Sequence, residues 1–320
     1  MNEIRHTPVL LQEAVDLLAP HPGGVYLDGT LGAGGHAEEI LRRSAPDSVL
    51  IGLDQDAEAV DRCRIRLLPY GNRVILRQAN FKDMAEILAE LGCEAVDGVL
   101  LDLGVSWFHL RTAERGFSFL LDGPLDMRMD QRGQQTAADL VNTLSRDELA
   151  KILYEYGEER KAGAIARAIE QARTRESITK TVQLANIVAR VFPSSWPRHM
   201  HPATRTFQAL RIAVNKELES LEEGLQHGIH ILKPGGRFSV ITFHSLEDRI
   251  VKRAFAEAVQ RCVCPPKLPV CSCNKKQELI LVTRKAVKPS PEEVQDNPAA
   301  RSAKLRVAEK VKNAMRAESA

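Results

Sequence analysis

The sequence has few aromatic residues, no long apolar run and no sign of a secretory leader. Aromatic residues make up 5% of its 320 residues, and no stretch approaches the ~18 apolar residues of a membrane span. The first residues, Met1 to His6, lack the apolar core of a signal peptide. Six cysteines without such a signal argue against a disulfide framework. Together these absences predict a cytoplasmic globular protein.

Charge of both signs is present but unevenly distributed. The net charge is +2, yet residues 160–215 contain ten lysines and arginines against two acids, a balance of +8. The rest of the chain therefore carries −6. This excess points to an anionic partner for one segment, although solvated helix faces give the same pattern. The candidate phosphate contacts are Lys161, Arg167, Arg173, Arg175, Lys180 and Arg198.

Strand and helix patterns alternate at both ends of the chain but not in its middle. The alternation predicts right-handed crossovers and a doubly wound, mostly parallel sheet of the α/β class. Residues 112–212 have helical patterns, which predicts an inserted all-helical domain within a discontinuous α/β domain of residues 1–111 and 213–320. The predicted strands are 25–28, 49–54, 73–78, 96–102, 237–243, 278–283 and 304–307.

Two local predictions concern segments near the ends. Thr7 and Pro8 have the pattern of an N-cap followed by proline at the first helical position, for a helix that continues to Leu18. Residues 288–298 are rich in proline and charge, which predicts an irregular surface connection.

A glycine-rich loop follows the first predicted strand and precedes a predicted helix. It reads Asp28-Gly29-Thr30-Leu31-Gly32-Ala33-Gly34-Gly35-His36. Glycines at such a place let the backbone turn tightly and let a ligand approach its N–H groups. Gly32, Gly34 and Ala37 also satisfy the dinucleotide fingerprint. The loop therefore predicts a nucleotide or nucleoside pocket without choosing its ligand.

Polar residues end the next predicted strands. Asp54 ends the second strand, 20 residues after Gly34, where a carboxylate can accept both hydroxyl hydrogens of a ribose. Asn80 and Phe81 follow the third strand, and Asp102 ends the fourth. Because ligands of open sheets bind beyond the carboxyl ends of the strands, these side chains should converge on one crevice.

Asp28 bears on the choice between two ligands. A dinucleotide needs a phosphate cradle, whereas S-adenosylmethionine has no phosphate and carries an α-amino group. An acid directly before the glycines would repel a pyrophosphate, so it favours the methyl donor. The same carboxylate can instead brace the loop by accepting its N–H groups, and Asp28 is therefore not counted among the predicted ligand contacts.

Long motifs run along the chain and are far more specific than a glycine loop. They are HTPVL from His6, DGTLGAGGH from Asp28, LDLGVS from Leu101, ERGFSF from Glu114, GPLDMRMD from Gly123, YGEER from Tyr156, HPATRTFQ from His201, FHSLEDR from Phe243 and RSAKLR from Arg301. In these motifs the chain resembles the ribosomal RNA small-subunit methyltransferase H family. That family methylates the exocyclic N4 of a cytidine in the decoding region of 16S ribosomal RNA. The resemblance implies a class I, Rossmann-like methyltransferase domain whose helical insert recognises RNA, within the small subunit or its precursor.

The resemblance also implies contacts with the cofactor, S-adenosylmethionine. The implied contact residues are Gly34, Gly35, His36, Asp54, Phe81, Asp102 and His109. The last position departs from the family, which usually continues Ser-Ser-Pro-Gln after Gly-Val, whereas this chain has Ser106-Trp107-Phe108-His109. Histidine can still donate or accept a hydrogen bond in place of glutamine. Trp107 and Phe108 can stack on an extruded base or pack beneath the insert.

No catalytic base is identified from the residues. The lone pair of cytosine N4 is delocalised, so an acceptor must hold the nitrogen and ease proton loss. Asp102 and Ser106 lie in the right region, but the two prolines that follow the acid in other amino-methylating enzymes are missing. His244 ends a predicted strand and could touch substrate, whereas Ser245 and Asp248 should form a capping box for the next helix.

Two questions stay open at this point. The alternatives to a methyltransferase are a nicotinamide-dependent oxidoreductase and a non-catalytic ribosome-assembly protein that binds RNA.

The thiols of Cys262, Cys264, Cys271 and Cys273 could close a tetrahedral zinc site. However, C-x-C pairs are less typical ligands than C-x-x-C, and cytosolic cysteines often serve as small apolar residues. No residue is therefore assigned to a metal.

Overall fold

The protein is described by a computed structural model that covers residues 8–193, 195–196, 201–262, 264, 272–273 and 275–312. Two units divide the chain: the first is Met1–Gly104 with Leu218–Ala320, and the second is Val105–Glu217. Within the described ranges, no helix is both long enough and apolar enough to cross a bilayer.

The first unit contains seven strands and seven α-helices among its described residues. The strands are β1 (Val25–Asp28), β2 (Val49–Asp54), β3 (Val74–Gln78), β4 (Val96–Asp102), β5 (Leu232–Thr242), β6 (Leu279–Leu281) and β7 (Lys304–Lys310). The helices are α1 (Leu11–Leu18), α2 (Gly35–Arg43), α3 (Ala57–Arg66), α4 (Met84–Glu90), α11 (Glu217–Ile231), α12 (Ser245–Val259) and α13 (Pro291–Asp296).

These strands form one sheet in the order β3-β2-β1-β4-β5-β7-β6. The strands from β3 to β5 are parallel, while β7 runs antiparallel to β5 and β6 runs antiparallel to β7. Strand order reverses direction between β1 and β4, which is the switch point where open α/β sheets bind ligands. This Rossmann-like arrangement confirms the predicted α/β class and its mostly parallel sheet.

Both faces of the sheet are buried. Successive side chains of a strand point to opposite faces, and here Leu27 and Ile51 join the core beneath α4, α11 and α12. Their neighbours Tyr26 and Leu50 join a separate core beneath α1, α2 and α3. This double burial explains why the strands are nearly continuous apolar runs, and it leaves the strand ends as the places where polar side chains can gather.

The second unit contains helices and, in the part of the chain that the structure describes, one isolated β-bridge but no named strand. Its helices are α5 (Trp107–Arg111), α6 (Ala137–Thr143), α7 (Arg146–Glu155), α8 (Ala162–Arg173), α9 (Thr181–Ala189) and α10 (Thr204–Asn215). Capping boxes begin three of them, with Ser106 and His109 at α5, Thr136 and Asp139 at α6, and Ser145 and Glu148 at α7. An apolar core of its own, which includes Leu149 and Ile165, holds the helices together.

Both local predictions for segments near the ends of the chain were wrong. Helix α1 begins at Leu11, not at Pro8, because Leu10 adopts a left-handed backbone (φ 52°) and its N–H donates to the Glu293 carboxylate; Thr7 lies outside the described residues. Residues 288–298 are not wholly irregular, because α13 begins there. The Ser290 hydroxyl caps it by accepting from the Glu293 N–H, and Pro291 follows at the first helical position.

Candidate functional site

The loop between β1 and α2 requires glycine at several positions. Gly32 and Gly34 adopt left-handed backbone, with φ of 51° and 78°, which residues with a Cβ rarely adopt. A Cβ on Gly34 would lie 3.0 Å from the Cys63 sulfur, and one on Gly35 would lie 2.2 Å from Cγ of Pro8. The loop therefore presents bare backbone at the start of α2, as the sequence predicts for a ligand-binding turn.

Asp54, the last residue of β2, fixes this loop. Its carboxylate accepts from the Gly32 N–H at 2.9 Å and from the Asp56 N–H at 2.9 Å. Asp56, and not Asp54, caps α3 by accepting from the Glu58 N–H. Because an ionised carboxylate offers about four acceptor positions, a side chain in this place can hold the loop and also bind hydroxyl groups of a ligand.

Asp28 is fully buried at the end of β1 and only half satisfied. Its Oδ1 accepts from the Thr30 N–H at 3.0 Å, whereas its buried Oδ2 has no hydrogen-bond partner among the described residues. Burial raises the pKa of Asp28 to about 7, with a smaller contribution from the nearby Asp54 carboxylate and against the lowering effect of the Thr30 hydrogen bond. Asp28 therefore braces the loop through one oxygen, while the other oxygen lacks the donor or cation that a buried carboxylate needs.

Asp102 lies beside Asp28 at the end of β4. Its backbone N–H donates to the Thr30 hydroxyl at 2.6 Å, and its buried Oδ1 has no hydrogen-bond partner among the described residues. Burial raises the pKa of Asp102 well above its usual value, and the carboxylates of Asp28 and Glu247 raise it further. Asp28, Asp102 and Glu247 thus form a cluster of acids, which we call the acidic cluster.

His36 connects α2 to this cluster. Its ring is buried, with Nε2 3.1 Å from the carbonyl oxygen of Val9 and Nδ1 3.6 Å from Oδ2 of Asp102. If Nε2 donates to the carbonyl, Nδ1 faces the acid. A proton held between His36 and Asp102 would satisfy both groups, so this contact can orient the Asp102 carboxylate.

Phe81 packs against the same edge of the sheet. It is 8% exposed and opens a short 3-10 turn that Asn80 caps by accepting from the Lys82 N–H. Glycines make room for its ring, because a Cβ on Gly29 would lie 2.8 Å from Cβ of Phe81 and one on Gly224 would lie 2.5 Å from its Cδ2. The structure thus brings Phe81 to the strand ends that carry Asp28, and with it the predicted residues Gly34, Gly35, His36, Asp54 and Asp102.

The end of β5 adds a histidine and a glutamate. Glu247 accepts from the Phe243 N–H at 2.8 Å and from the His244 N–H at 3.2 Å, and its Oε1 lies 3.1 Å from Nε2 of His244. The predicted capping box of Ser245 and Asp248 was wrong, since His244 and Glu247 form it. Asp248 instead pairs with two basic residues of β7, Lys304 at 2.8 Å and Arg306 at 2.7 Å.

His109 belongs to the second unit. It is buried, stacks on Phe117 with ring centroids 4.7 Å apart, and forms a capping box with Ser106 at the start of α5. Trp107 and Phe108 make an edge-to-face pair with centroids 5.4 Å apart. These contacts give His109 and Ser106 structural roles within their own unit, and the predicted cofactor contact of His109 stays a prediction.

Glu247 is the site residue that the sequence reasoning missed. A signal was present, because His244 and Glu247 have the spacing of a capping box, with histidine in place of the usual serine or threonine. The proximity of Glu247 to Asp102 could not be predicted, because it depends on β4 and β5 being neighbours in the sheet.

The raised pKa of Asp28 predicts how stability depends on pH. As the pH rises from about 4 to about 7, the unfolded chain releases the Asp28 proton before the folded chain does, so stability falls. Asp28→Asn removes the titrating carboxyl group and therefore this loss of stability. The free energy of unfolding of the variant minus that of the parent should become more positive from pH 4 to pH 8, by about 4 kcal/mol at most. Urea denaturation of ligand-free protein at several pH values measures it.

The matched control is Asp61→Asn, since Asp61 is exposed on α3. Its difference from the parent should vary little over the same range. If the Asp28→Asn difference is equally flat, Asp28 is ionised in the folded protein and the burial argument fails.

Curated relatives share about half of their residues with this chain. The ribosomal RNA small subunit methyltransferase H of Syntrophotalea carbinolica is 55% identical over 303 residues, which cover 94% of this chain and 96% of the relative. The protein of that name from Trichlorobacter lovleyi is 54% identical over 97% of this chain and 100% of the relative. That from Carboxydothermus hydrogenoformans is 52% identical over 97% and 99%.

The chain also matches the MraW methylase family over residues 3–311. The match confirms the predicted methyltransferase and its cofactor, S-adenosylmethionine, and it does not support the alternative of a nicotinamide-dependent oxidoreductase. With relatives that align over nearly their full lengths, the chain belongs to the MraW methylase family.

Proposed function

We propose that this protein transfers a methyl group from S-adenosylmethionine to the exocyclic N4 of a cytidine in the decoding region of 16S ribosomal RNA. The relatives at 52–55% identity carry the name of small-subunit ribosomal RNA methyltransferases. The observation that carries the proposal is the acidic cluster beside a glycine-rich turn. It suits a nucleoside ligand that has positive charge and no phosphate.

The cofactor fits the residues at the strand ends. Asp28 and Asp102 each have one buried oxygen without a hydrogen-bond partner among the described residues, and a cationic amino-acid end would satisfy them. A pyrophosphate would instead meet like charge. We propose that the cofactor is contacted by Gly34, Gly35, His36, Asp54, Phe81 and Asp102. In this arrangement Asp54 binds the ribose hydroxyls, Phe81 lines the adenine, and bare backbone at the start of α2 permits close approach.

Methyl transfer requires the protein chiefly to position the acceptor nitrogen in line with the donor methyl group. When bound, the cofactor supplies a methyl group on a positively charged sulfur, which a nitrogen lone pair must approach in line. His36 holds Asp102 from one side and Thr30 fixes its backbone, so the carboxylate has a defined orientation toward the ligand. The buried acids also favour positive charge, which makes the donor end of the site selective for a cationic ligand. No described residue is assigned as a base.

RNA recognition is proposed for the basic run of the second unit. The six candidate lysines and arginines differ in what their side chains contact. Lys161 donates to the Val191 carbonyl at 3.1 Å and Arg173 to the Val141 carbonyl at 2.7 Å, so both support the fold. Arg198 lies outside the described residues. The exposed candidates that remain are Arg167, Arg175 and Lys180.

Transfer of labelled methyl groups tests the function. The protein is incubated with S-adenosylmethionine and with small subunits or 16S RNA from cells that lack this modification, and the RNA is then digested to nucleosides and analysed by mass spectrometry. We expect N4-methylcytidine in a single fragment of the decoding region. Label on another atom or base would contradict the proposed specificity. Absence of transfer from every RNA substrate would instead support the alternative of a non-catalytic RNA-binding protein.

Asp54→Ala should weaken S-adenosylmethionine binding at least about tenfold. The lost hydrogen bonds to a ribose are charge-assisted, each worth roughly 1.5–3 kcal/mol, and about 1.4 kcal/mol corresponds to tenfold. Asp54→Asn keeps the size and one acceptor oxygen, so its loss should be smaller. Calorimetric titration measures the affinities, and circular dichroism checks that both Asp54 variants fold. Asp61→Ala is the control and should bind as the parent does; equal affinities for all four proteins would refute the role of Asp54.

A triple variant of Arg167, Arg175 and Lys180 to glutamine should bind RNA more weakly and with less salt dependence. Neutralised phosphates release counterions, so the slope of log affinity against log salt should flatten by about two to three units. Affinity for S-adenosylmethionine should not change. The control replaces Arg42, Arg64 and Arg253, exposed arginines of the first unit that pair with acids. If the two triple variants have the same slope, the basic run is a solvated face.

A further inference from the structure

Three thiols come together in the segment between α12 and β6. Cys262, Cys264 and Cys273 place their sulfur atoms within 4.8 Å of one another. The sulfurs of Cys262 and Cys273 lie 3.8 Å apart, although 11 residues separate them in the chain. The convergence of these sulfurs therefore does not follow from sequence proximity alone.

The spacing of the Cys262 and Cys273 sulfurs matches a tetrahedral metal site. Zinc–sulfur bonds are about 2.3 Å long, and two ligands of a tetrahedron are then about 3.8 Å apart. A disulfide would need about 2.05 Å. The separation of Cys262 and Cys273 is therefore that of two thiolates on one ion.

Backbone donors face two of the sulfurs. The Cys264 N–H donates to the sulfur of Cys262 at 3.3 Å, and the Ser272 N–H donates to the sulfur of Cys264 at 3.4 Å. Such hydrogen bonds stabilise negative charge on sulfur, and groups around a metal site typically orient its ligands in this way. The two C-x-C pairs, an unusual ligand spacing in the sequence, thus each supply one backbone N–H that donates to a sulfur.

An ordinary packing role does not account for the proximity of the three thiols. Cysteines that act as small apolar residues are buried, as Cys63 is on the inner face of α3. Cys262 is exposed, and Cys264 and Cys273 are only partly buried. Solvent-facing thiols gain little from packing, so their convergence needs another cause.

We propose that Cys262, Cys264 and Cys273 bind one zinc ion as thiolates. The ion stabilises the connection between the end of α12 and the start of β6. Its role is structural, because α12 has 15 residues and spans about 22 Å, which separates the thiols from His244 at the other end. Cys271, the fourth member of the sequence pattern, lies outside the described residues.

Metal content tests the proposal directly. Full-length protein purified without chelators should contain one zinc ion per chain by plasma mass spectrometry. Cys262→Ser and Cys264→Ser should each reduce the zinc content at least tenfold. Cys93→Ser is the matched control and should keep the parental zinc content, since Cys93 lies in the turn before β4, where its thiol donates to the Ala95 carbonyl.

A second measurement does not depend on the variants folding. Parent protein in which cobalt replaces zinc should show thiolate-to-metal charge-transfer bands and the intense visible bands of a tetrahedral cobalt ion. The proposal is overturned if folded parent protein contains no zinc and shows no such bands with cobalt. It is also overturned if peptide mapping finds a Cys262–Cys273 disulfide in metal-free native protein. These readouts are independent of methyl transfer.

Discussion

The structure depends on one electrostatic constraint, which is that carboxylates are buried together where parallel strands end. Asp28 ends β1 and Asp102 ends β4, and these neighbouring strands bring the two acids to the switch point of the sheet. Burial raises the pKa of both. Such an arrangement costs stability in the ligand-free chain, and a cationic ligand would offset that cost. The site is therefore best understood as a place built for positive charge.

The groups around the acids hold them in place. Asp54 secures the Gly32 turn. The Thr30 N–H donates to Asp28, and the Thr30 hydroxyl accepts from the Asp102 N–H. His36 approaches Asp102 from α2. Helices cover both faces of the sheet, so the strand ends hold Asp28 and Asp102 close together.

Sequence reasoning succeeded where a local pattern has one structural solution. β1, β2 and β4 have the predicted bounds, because apolar runs that end in an acid fit buried parallel strands. Helix α13 was missed although Ser290 and Pro291 are a start signal, since the prolines were interpreted as breaking the chain. The raised pKa of Asp28, the place of Glu247 beside Asp102, and the convergence of three thiols all depend on contacts across long separations. No local pattern specifies them.

The most direct test of this account is the number of protons released when S-adenosylmethionine binds. It follows from binding enthalpies measured near pH 6.5 in buffers of different ionisation enthalpy. If a cationic ligand meets the acidic cluster, it lowers the pKa of Asp28 and Asp102, and protons leave the protein. The account predicts net proton release by the parent and a smaller release by Asp28→Asn. Binding without release, or with proton uptake, would contradict it.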